Sequence, residues 1–403
     1  MRHVILGNGA AGISAAEKLR DLCPSDEIIV ISKEDTCAYT KCMLPDYVGG
    51  KLSKEKILIR DAAAYNKNRI TLILGENILR IDVKDKFVSI SDGKAISYDK
   101  LLIAVGGTPF VPPIPGLDKV EYYCINTLGH ADIIKEKAFE DGKAIILGAG
   151  LTGIEMSFAL KRLGMEVTIV EREKRVLPNQ LDQGASDVMI DIIRHEGINL
   201  LVGTTVDEVV SDGMKAVKLS NGQSMEYDML IVSIGTRSNI GLVKDTGIKC
   251  NKGILVDEYM KTSVGDVYAA GDVAEAISKL SNEYVSCYMW PNAMAQGKCA
   301  AYSMAGQPQE YSFTAAIQNP CQVRDFPFIS MGLVNPVEDG YETMVDYQKD
   351  RRIYRKIVLQ DNIVKGMIFL NDTRTANSIA GLIRKGTDTG EFKHRLLDQD
   401  FKL

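Results

Sequence analysis

The sequence has few histidines and no long apolar run. Four histidines occur among its 403 residues, and none lies beside another or beside a close pair of cysteines. We therefore expect no metal site and little material for a histidine-based catalytic triad. No apolar run approaches the ~18 residues that cross a bilayer. A strand-like segment begins at Arg2 and leaves no room for a signal peptide. We expect a cytoplasmic protein without a membrane segment.

Charge and composition exclude further classes of protein. The net charge is −5 at pH 7, so we expect no basic surface that attracts nucleic acid or an anionic membrane. Apolar residues make up 45% of the chain and charged residues 25%, which excludes a disordered protein. The length predicts two to three domains. The eight cysteines are scattered, which argues against a disulfide framework and leaves one close pair, Cys37 and Cys42.

The first chemical signal is a glycine turn between a strand and a helix. The β-branched segment His3–Leu6 runs into Gly7-Asn8-Gly9-Ala10-Ala11-Gly12, and an apolar helical face follows. In a dinucleotide-binding turn the glycines permit a tight bend, a close approach to a pyrophosphate, and close packing of helix on strand. The helix N-terminus then presents free N–H groups to the phosphates. Glu34 lies about 20 residues further on, where a ribose-binding acid is expected, although Ser32 holds the usual position at the strand end.

The same pattern recurs later in the chain. Lys143–Leu147 leads to Gly148-Ala149-Gly150-Leu151-Thr152-Gly153-Ile154-Glu155, and the strand that follows is closed by Glu171. An acid at that position bonds the ribose 2′-hydroxyl and repels a 2′-phosphate, which favours NADH over NADPH. Arg172 and Arg175 would soften that preference. Two such turns, each with its strand, helix and acid, predict two dinucleotide sites. Electron transfer between two dinucleotides is typical of a flavoprotein, because a flavin accepts a hydride and releases electrons singly or in pairs.

Three further strands end in a turn: Leu101-Leu-Ile-Ala-Val-Gly106-Gly107, Leu230-Ile-Val-Ser-Ile-Gly235 and Val267-Tyr-Ala-Ala-Gly271-Asp272. With the two glycine turns, these ordered motifs resemble the FAD-dependent pyridine-nucleotide oxidoreductases over about residues 1–310. The resemblance implies an α/β fold with two Rossmann-like domains and a small α+β C-terminal domain. It implies a discontinuous FAD domain at 1–109 and 240–310, an inserted NAD(H) domain at 110–239, and the C-terminal domain at 311–403.

The resemblance also assigns the two sites. It implies that the first glycine turn holds FAD, the second holds NAD(H), and the carboxylate of Asp272 bonds the ribityl chain of the flavin. The other residues implied to contact FAD follow strand ends: Glu34, Lys41, Gly106 and Gly271. The residues implied to contact NAD(H) outside the second glycine run are Glu171 and Gly235. A helix that begins at Trp290-Pro291 would point its N-terminus at the flavin, or would serve only for packing.

Cys42 leaves three interpretations open. The segment Cys42-Met-Leu-Pro45, with Gly49-Gly50 after it, resembles the single-cysteine branch: coenzyme-A-disulfide reductase, NADH oxidase and NADH peroxidase. In that branch the thiolate cycles beside the flavin, and a neighbouring Lys41 would lower its pKa. Cys37 and Cys42 also have the spacing of the dithiol in dihydrolipoamide-reductase-like enzymes, but His394 lacks the context of their His–Glu acid–base pair. In the third interpretation both cysteines only pack near the flavin.

The C-terminal part changes character after Tyr311. Its alternating segments predict strands, a hairpin turn at Gln360-Asp361-Asn362 and a helix over about residues 375–385. The module resembles that of NADH:rubredoxin oxidoreductase and of the flavin portion of assimilatory nitrite reductase. This implies electron transfer to a small iron protein such as rubredoxin or ferredoxin, or to a partner subunit, and we expect a homodimer. A local basic cluster would dock an acidic carrier protein or form a solvated face: Lys349, Arg351, Arg352, Arg355 and Lys356.

Three functions therefore stand at this point. The first is an FAD-dependent enzyme that takes hydride from NADH and passes electrons to an iron protein. The second uses Cys42 to reduce a disulfide, peroxide or oxygen. The third is a non-catalytic flavoprotein that senses NADH and signals through its dimer contacts.

Overall fold

The computed structural model describes the chain except for residues 212, 279–282, 312–318, 324–325, 337 and 403. The chain divides into two compact units. Unit 1 comprises Met1–Met43, Ser53–Thr108 and Thr236–Thr314, and unit 2 comprises Leu44–Leu52, Pro109–Gly235 and Ala315–Leu403. The predicted division into FAD, NAD(H) and C-terminal domains stays a prediction.

The secondary structure alternates between strands and helices. The strands are β1 (Arg2–Leu6), β2 (Glu27–Ile31), β3 (Ile70–Ile73), β4 (Ile78–Asp82), β5 (Phe87–Ile90), β6 (Ala95–Ser97), β7 (Lys100–Ile103), β8 (Gly107–Pro109), β9 (Lys143–Leu147), β10 (Glu166–Glu171), β11 (Asn199–Val202), β12 (Val206–Val210), β13 (Ala216–Leu219), β14 (Ser224–Glu226), β15 (Met229–Val232), β16 (Thr236–Ser238), β17 (Ile254–Val256), β18 (Val267–Ala269), β19 (Ala274–Ile277), β20 (Tyr284–Val285), β21 (Asn319–Val323), β22 (Phe326–Gly332), β23 (Glu342–Gln348), β24 (Ile353–Gln360) and β25 (Ile363–Leu370). The α-helices are α1 (Ala10–Leu22), α2 (Leu44–Val48), α3 (Lys54–Ile57), α4 (Ala62–Lys67), α5 (Leu128–Lys137), α6 (Leu151–Arg162), α7 (Gln183–His195), α8 (Trp290–Met304) and α9 (Ala376–Lys385). Short 3₁₀ turns lie at Lys41–Met43, Leu117–Lys119, Ile240–Val243, Lys349–Arg351 and Lys393–Arg395.

Unit 1 is built on a parallel sheet with the strand order β18-β7-β1-β2-β3. Its central strands are continuous apolar runs, because a parallel sheet is covered on both faces; Ile5, Leu101 and Leu102 have no exposed surface. Leu6 pairs with Ile31 on one side and with Ile103 on the other. The turns that follow β1, β2, β7 and β18 therefore meet at one edge of this sheet, which is where open α/β sheets bind ligands.

Unit 2 contains a second parallel sheet and an antiparallel one. The parallel sheet has the order β11-β10-β9-β15, and α6 follows β9 just as α1 follows β1. The antiparallel sheet has the order β21-β22-β25-β24-β23. Apolar side chains of β25 and α9, among them Met367, Phe369, Ile379 and Leu382, form its core. Smaller sheets have the orders β12-β13-β14, β4-β5-β6, β17-β19-β20 and β16-β8.

The predicted local elements are confirmed. The hairpin between β24 and β25 turns at Asp361 and Asn362, both with positive φ (51° and 60°), as a two-residue hairpin loop requires. Helix α9 ends at Gly386 in the left-handed conformation, and α8 begins at Trp290 with proline in its first turn. Within the described residues, no helix is both long and apolar enough to cross a membrane.

The prediction that the five cations form one exposed basic cluster is wrong. The side chains of Arg355 and Lys356 are only 3% and 8% exposed. A guanidinium nitrogen of Arg355 lies 2.5 Å from a carboxylate oxygen of Asp346, and Nζ of Lys356 lies 2.8 Å from Asp182. These two buried cations pair with half-buried carboxylates, so only the part of the cluster over residues 349–352 reaches the surface.

Candidate functional site

The first glycine turn leaves its second glycine open to a ligand. Gly7 has φ of +107°, and a Cβ at this position would lie 2.2 Å from the carbonyl oxygen of Ala104. A Cβ at Gly12 would lie 1.9 Å from the carbonyl oxygen of Gly7, which is why α1 packs so closely on β1. A Cβ at Gly9 meets nothing within 4 Å. Gly9 also precedes α1 without a side-chain cap, and Ala10 and Ala11 begin that helix. The first N–H groups of α1 are thus disposed to receive phosphate.

Asp272 lies at the same edge of the unit 1 sheet. It follows β18, whose Ala269 pairs with Ile103 of β7. Gly271 has φ of +79°, and a Cβ at this position would lie 3.0 Å from the Cβ of Ala11. Its N–H donates to Oε1 of Gln296 at 2.7 Å. Burial raises the pKa of the Asp272 carboxyl to about 6, although the positive charge of Lys41 acts to lower this pKa. The carboxylate is therefore a desolvated acceptor, the state in which a ligand hydroxyl bonds most strongly.

Lys41 and Glu34 lie together beside this acceptor. The ammonium of Lys41 is 3.4 Å from Oε1 of Glu34, and the hydroxyl of Tyr39 donates to Oε2 of Glu34 at 2.6 Å. Glu34 is half-buried, whereas Ser32 at the strand end is buried and bonded through its N–H to Ile73. The assignment of Glu34 to a ribose stays a prediction.

The two cysteines of the close pair differ in environment. Cys42 is exposed on the 3₁₀ turn Lys41–Met43, and Cys37 is half-buried against the unit 1 core. Burial raises the pKa of the Cys37 thiol, which disfavours its thiolate. The two thiols are not joined in a disulfide. Redox roles for Cys42 and Cys37 stay predictions, with Cys42 in the more accessible place.

The second glycine turn repeats the first in unit 2. A Cβ at Gly148 (φ +105°) would lie 2.4 Å from the carbonyl oxygen of Ser233, and one at Gly153 would lie 2.1 Å from that of Gly148. Gly150 is open like Gly9. Leu151, Thr152 and Glu155 are half-buried in the first turns of α6. The corresponding turns after β7 and β15 hold Gly106 and Gly235, with φ of +65° and +122°.

Glu171 is the last residue of β10 and is oriented by backbone donors. Its Oε2 accepts the N–H of Ala149 at 2.6 Å, and its Oε1 accepts the N–H of Glu173 at 2.8 Å. The side chain is only 9% exposed. A carboxylate has further lone pairs beyond these two bonds, so Glu171 can still accept ribose hydroxyls. Arg175 donates to the carbonyls of Leu181 and Pro178, which leaves Arg172 as the exposed cation of the two.

These residues fit the predicted dinucleotides. Each turn combines an open second glycine, an uncapped helix N-terminus and a nearby carboxylate. That donor set matches a pyrophosphate and its ribose. At the first turn, Asp272 adds a desolvated carboxylate that would suit a hydroxyl of a polyol chain.

Sequence reasoning missed residues that hold the first site together. Gln296 is 2% exposed and fixes the N–H of Gly271. A Cβ at Gly297 would lie 2.2 Å from the carbonyl oxygen of Ala11, so this glycine lets α8 touch α1. The spacing Gln296-Gly297 on a helix with an N-terminal proline was the available signal. The hydroxyl of Ser238 donates to the carbonyl of Asp272 at 2.6 Å, and no local signal marked it.

A comparison with known proteins decides the family. The profile of the family described as pyridine nucleotide-disulphide oxidoreductase matches residues 1–297. The chain belongs to that family. A second profile, described as the rubredoxin NAD+ reductase C-terminal domain, matches residues 321–387. Membership confirms the predicted oxidoreductase family and the α/β fold.

Individual relatives extend the match. The chain is 30% identical to the assimilatory nitrate reductase electron transfer subunit of Bacillus subtilis (strain 168), over 99% of this chain and 51% of that protein. It is 32% identical to an NADH oxidase of Methanocaldococcus jannaschii, over 76% of this chain and 70% of that one. It superposes on NADH:rubredoxin oxidoreductase from Clostridium acetobutylicum with a TM-score of 0.79, at 28% identity and 97% coverage of both chains. The chain spans about half the length of the nitrate reductase subunit and of a nitrite reductase from the same Bacillus.

Proposed function

We propose that the chain is an FAD-dependent NADH oxidoreductase that passes electrons to a small iron protein or an iron-containing partner subunit. The observation that carries this proposal is the pair of open glycine turns, one in each unit, with an additional desolvated acceptor, Asp272, at the first alone. When bound, FAD supplies a group that accepts two electrons as hydride and releases them one at a time.

The residues of the first turn hold the FAD in this proposal. The N–H groups at the start of α1 bond its pyrophosphate, and Gly9 gives the phosphates room. Asp272 accepts a hydroxyl of the ribityl chain, and Lys41 balances its charge. Glu34 accepts a ribose hydroxyl of the adenosine half, with Tyr39 orienting it. Gly106 and Gly271 let the backbone approach the ligand.

The residues of the second turn hold NADH. Gly150 and the N-terminus of α6 receive the pyrophosphate. Glu155, in the first turns of α6, and Gly235, in the turn after β15, complete the proposed site. Glu171, whose orientation is fixed by Ala149 and Glu173, accepts the ribose hydroxyls and excludes a 2′-phosphate. NADH is therefore the proposed electron source, and NADPH the poorer one.

The acceptor is proposed from the relatives. The C-terminal profile is named for a rubredoxin reductase, the superposed structure is a rubredoxin oxidoreductase, and the nitrate reductase relative is an electron transfer subunit. Two of these names specify rubredoxin, and the third describes electron transfer within a reductase. A homodimer and a cytoplasmic location remain part of the proposal.

A second function is favoured by the exposure of Cys42. A relative named NADH oxidase is 32% identical, and an accessible thiol beside Lys41 suits a cycle between thiolate and sulfenic acid. In this version Cys42 would reduce oxygen or a peroxide through a sulfenic acid, or a disulfide through a mixed disulfide. Electrons from NADH would restore the thiolate, and no iron protein is needed.

An anaerobic titration with NADH, followed by absorbance, separates the two functions. About one NADH per FAD, with direct bleaching of the flavin, is expected if the flavin is the only redox centre. A requirement for about two NADH per FAD, with a long-wavelength thiolate–flavin absorbance band at the midpoint of the titration, would establish Cys42 as a second redox centre. The matched variant Cys42→Ser is expected to titrate like the wild type in the first case only.

The acceptor is tested on the NADH-reduced protein. Rapid mixing with oxidised rubredoxin or a [2Fe–2S] ferredoxin is expected to reoxidise the flavin much faster than air-saturated buffer does. If only oxygen or peroxide reoxidises the flavin, and the Cys42→Ser variant loses this reaction, the proposal of an iron-protein acceptor is rejected. Absence of any NADH oxidation with artificial acceptors would instead support a non-catalytic NADH sensor.

A further inference from the structure

A histidine, a cysteine and an aspartate meet at one end of the unit 1 sheet. His3 lies in β1, Cys23 is the C-terminal cap of α1, and Asp26 directly precedes β2. One ligand atom from each side chain lies within 4.8 Å of the other two, and the described residues contain no second group of this kind. Because His3 stands at the start of β1 and the first glycine turn follows its end, the His3–Cys23–Asp26 cluster lies at the edge of the sheet opposite that turn.

The imidazole of His3 is buried and only half satisfied. It has no exposed surface, and its Nε2 lies 2.9 Å from Oδ2 of Asp26. No hydrogen-bond partner reaches its Nδ1 among the described residues, and an unpaired buried nitrogen is typical of a site that also holds a water molecule or an ion. Burial lowers the pKa of His3, so the ring is neutral at pH 7 and keeps a lone pair, the form in which histidine binds metals.

The carboxylate of Asp26 and the thiol of Cys23 supply the other two donors. Oδ1 of Asp26 pairs with the amino group of Met1 at 3.1 Å, whereas Oδ2 faces the imidazole. Burial, together with the charge and the hydrogen bond of Asp26, raises the pKa of Cys23, so the thiol keeps its proton until a cation displaces it. A thiolate, an imidazole and a carboxylate form a donor set that suits Zn²⁺, whereas Mg²⁺ and Ca²⁺ take oxygen ligands.

The backbone that carries Cys23 and Asp26 is fixed by Arg20. Its Nη1 donates to the carbonyl oxygens of Cys23, Pro24 and Asp26 at 3.1, 3.0 and 2.9 Å, and its Nε donates to that of Asn68 at 2.7 Å. The turn between α1 and β2 is thus held in place by one side chain. Ligands that are already positioned lose less conformational freedom on binding, which favours a specific site over a chance gathering of side chains.

From this geometry we propose that His3, Cys23 and Asp26 bind one Zn²⁺ ion. The imidazole, the carboxylate and the thiolate coordinate the ion, solvent takes the fourth tetrahedral position, and the proton of the thiol passes to solvent. The ion joins the start of β1, the end of α1 and the start of β2, and so closes the strand–helix–strand unit that contains the first glycine turn. Its role is structural, because metal binding between separate elements adds to the free energy of folding. The sequence spacing predicts no such site, since 23 positions separate His3 from Asp26.

The first test measures Zn²⁺ binding to the flavin-loaded protein after metals have been removed with a chelator. Equilibrium dialysis against micromolar ZnCl₂ is expected to give about one Zn²⁺ per chain. Cys23→Ser is expected to weaken this binding at least ~100-fold, because even the outer partners of a metal ligand contribute ~10- to 100-fold. Cys250→Ser is the matched control, since Cys250 is an exposed free thiol outside the cluster. It is expected to bind Zn²⁺ like the wild type.

Cobalt reports which side chains bind the ion. Tetrahedral Co²⁺ with a thiolate ligand gives visible absorption bands at longer wavelengths than oxidised flavin, so these bands can be read in the flavin-loaded protein. We expect them in the wild type and in Cys250→Ser, and we expect Cys23→Ser to lack them. Asp26→Asn is expected to keep the bands but to weaken Co²⁺ binding at least ~10-fold. Circular dichroism and FAD content check that each variant is folded.

The structural role predicts an effect on stability. Zn²⁺ is expected to raise the melting temperature of the wild type and of Cys250→Ser, and to leave that of Cys23→Ser unchanged. If the wild type retains no Zn²⁺ at micromolar concentration, the cluster is a hydrogen-bonded network only and the proposal is wrong. If Cys23→Ser binds Zn²⁺ as tightly as the wild type, the ion lies elsewhere. If bound Zn²⁺ does not raise the melting temperature, its role is not structural.

Discussion

Asp272→Asn is expected to stabilise the flavin-free protein and to weaken its binding of flavin. Burial raises the pKa of this carboxyl from 3.8 to about 6, so the folded chain carries the charged form at a cost. At 1.36 kcal/mol per pKa unit, a shift of about two units corresponds to ~3 kcal/mol. Asparagine removes the charge and keeps the shape, so at pH 7.5 we expect the free energy of unfolding to rise by ~1–3 kcal/mol.

The effect has a defined dependence on pH. Below the unfolded pKa of 3.8 the carboxyl is protonated in both states, so wild type and variant are equally stable. As the pH rises from about 4 to about 6, the unfolded chain loses its proton first, and the wild type is progressively destabilised relative to the variant. The difference is complete above about pH 7.

The assay is urea unfolding of the flavin-free protein, followed by circular dichroism between pH 4 and pH 8. Flavin affinity is measured separately by the quenching of FAD fluorescence. A lost hydrogen bond to a charged acceptor, ~1.5–3 kcal/mol, predicts binding weaker by ~10- to 100-fold. Asp266→Asn is the control, because Asp266 is 2.7 Å from Lys86 and its pKa is lowered by that bond. It is expected to gain no stability.

Two results would separately refute the desolvation of Asp272 and its contact with the flavin. If the stability difference is the same at pH 4 and pH 7.5, the carboxylate is not desolvated in the folded chain. If the variant binds FAD as tightly as the wild type, Asp272 does not contact the flavin, whatever its effect on stability.

Five further substitutions, two of them matched comparisons, test the ribose-binding acid, the first glycine turn and the Lys356–Asp182 pair. Glu171→Gln is expected to narrow the preference for NADH over NADPH by about tenfold in kcat/KM; an unchanged ratio would remove its ribose role. Gly9→Ala is expected to lower the affinity for FAD without changing the melting temperature, because the added Cβ meets no protein atom within 4 Å. Gly12→Ala is expected to lower the melting temperature itself, because its Cβ would lie 1.9 Å from a carbonyl oxygen. Lys356→Met leaves the half-buried Asp182 carboxylate without its cation, although the bonds from Tyr354 and Ala185 remain, and is expected to cost ~1.5–3 kcal/mol in urea unfolding. The exposed Lys349→Met is expected to cost little, and equal losses would refute the burial argument.

The glycine turns could be predicted because their causes are local. Gly7 and Gly148 have positive φ. Gly12 and Gly153 pack so closely on these turns that a Cβ would lie 1.9 Å from the carbonyl oxygen of Gly7 and 2.1 Å from that of Gly148. The positive φ is a property of the residue itself, and the close approach of Gly12 to Gly7 and of Gly153 to Gly148 joins residues five positions apart, so a short pattern predicts them. The hairpin turn at Asp361 and Asn362 belongs to the same class, since two positive φ angles select its residues.

The residues that were missed depend on contacts distant in the chain. Lys356 is buried because Asp182, far earlier in the sequence, caps α7 beside β24, where it also accepts from Tyr354. Burial alone would raise the pKa of Asp182, but the bonds from Lys356, the N–H of Ala185 and Tyr354 lower it. A run of cations beside a hairpin gives no sign of such a partner, and so the sequence pattern predicts an exposed cluster. Gln296 and Gly271 illustrate the same limit within unit 1.

The two acids show how far a spacing rule reaches. Spacing singled out Glu34 and Glu171 by the same criterion, yet their surroundings differ. Two backbone N–H groups hold Glu171 at the end of its strand, so its orientation is set before any ligand binds. Glu34 lies beyond its strand and is held by the side chains of Tyr39 and Lys41, with no backbone N–H bond to its carboxylate among the contacts described. Because preorganised contacts cost less to form on binding, we expect selectivity between ligands to depend on Glu171 more than on Glu34. At the first site we expect the same role for Asp272, whose carboxylate is already desolvated.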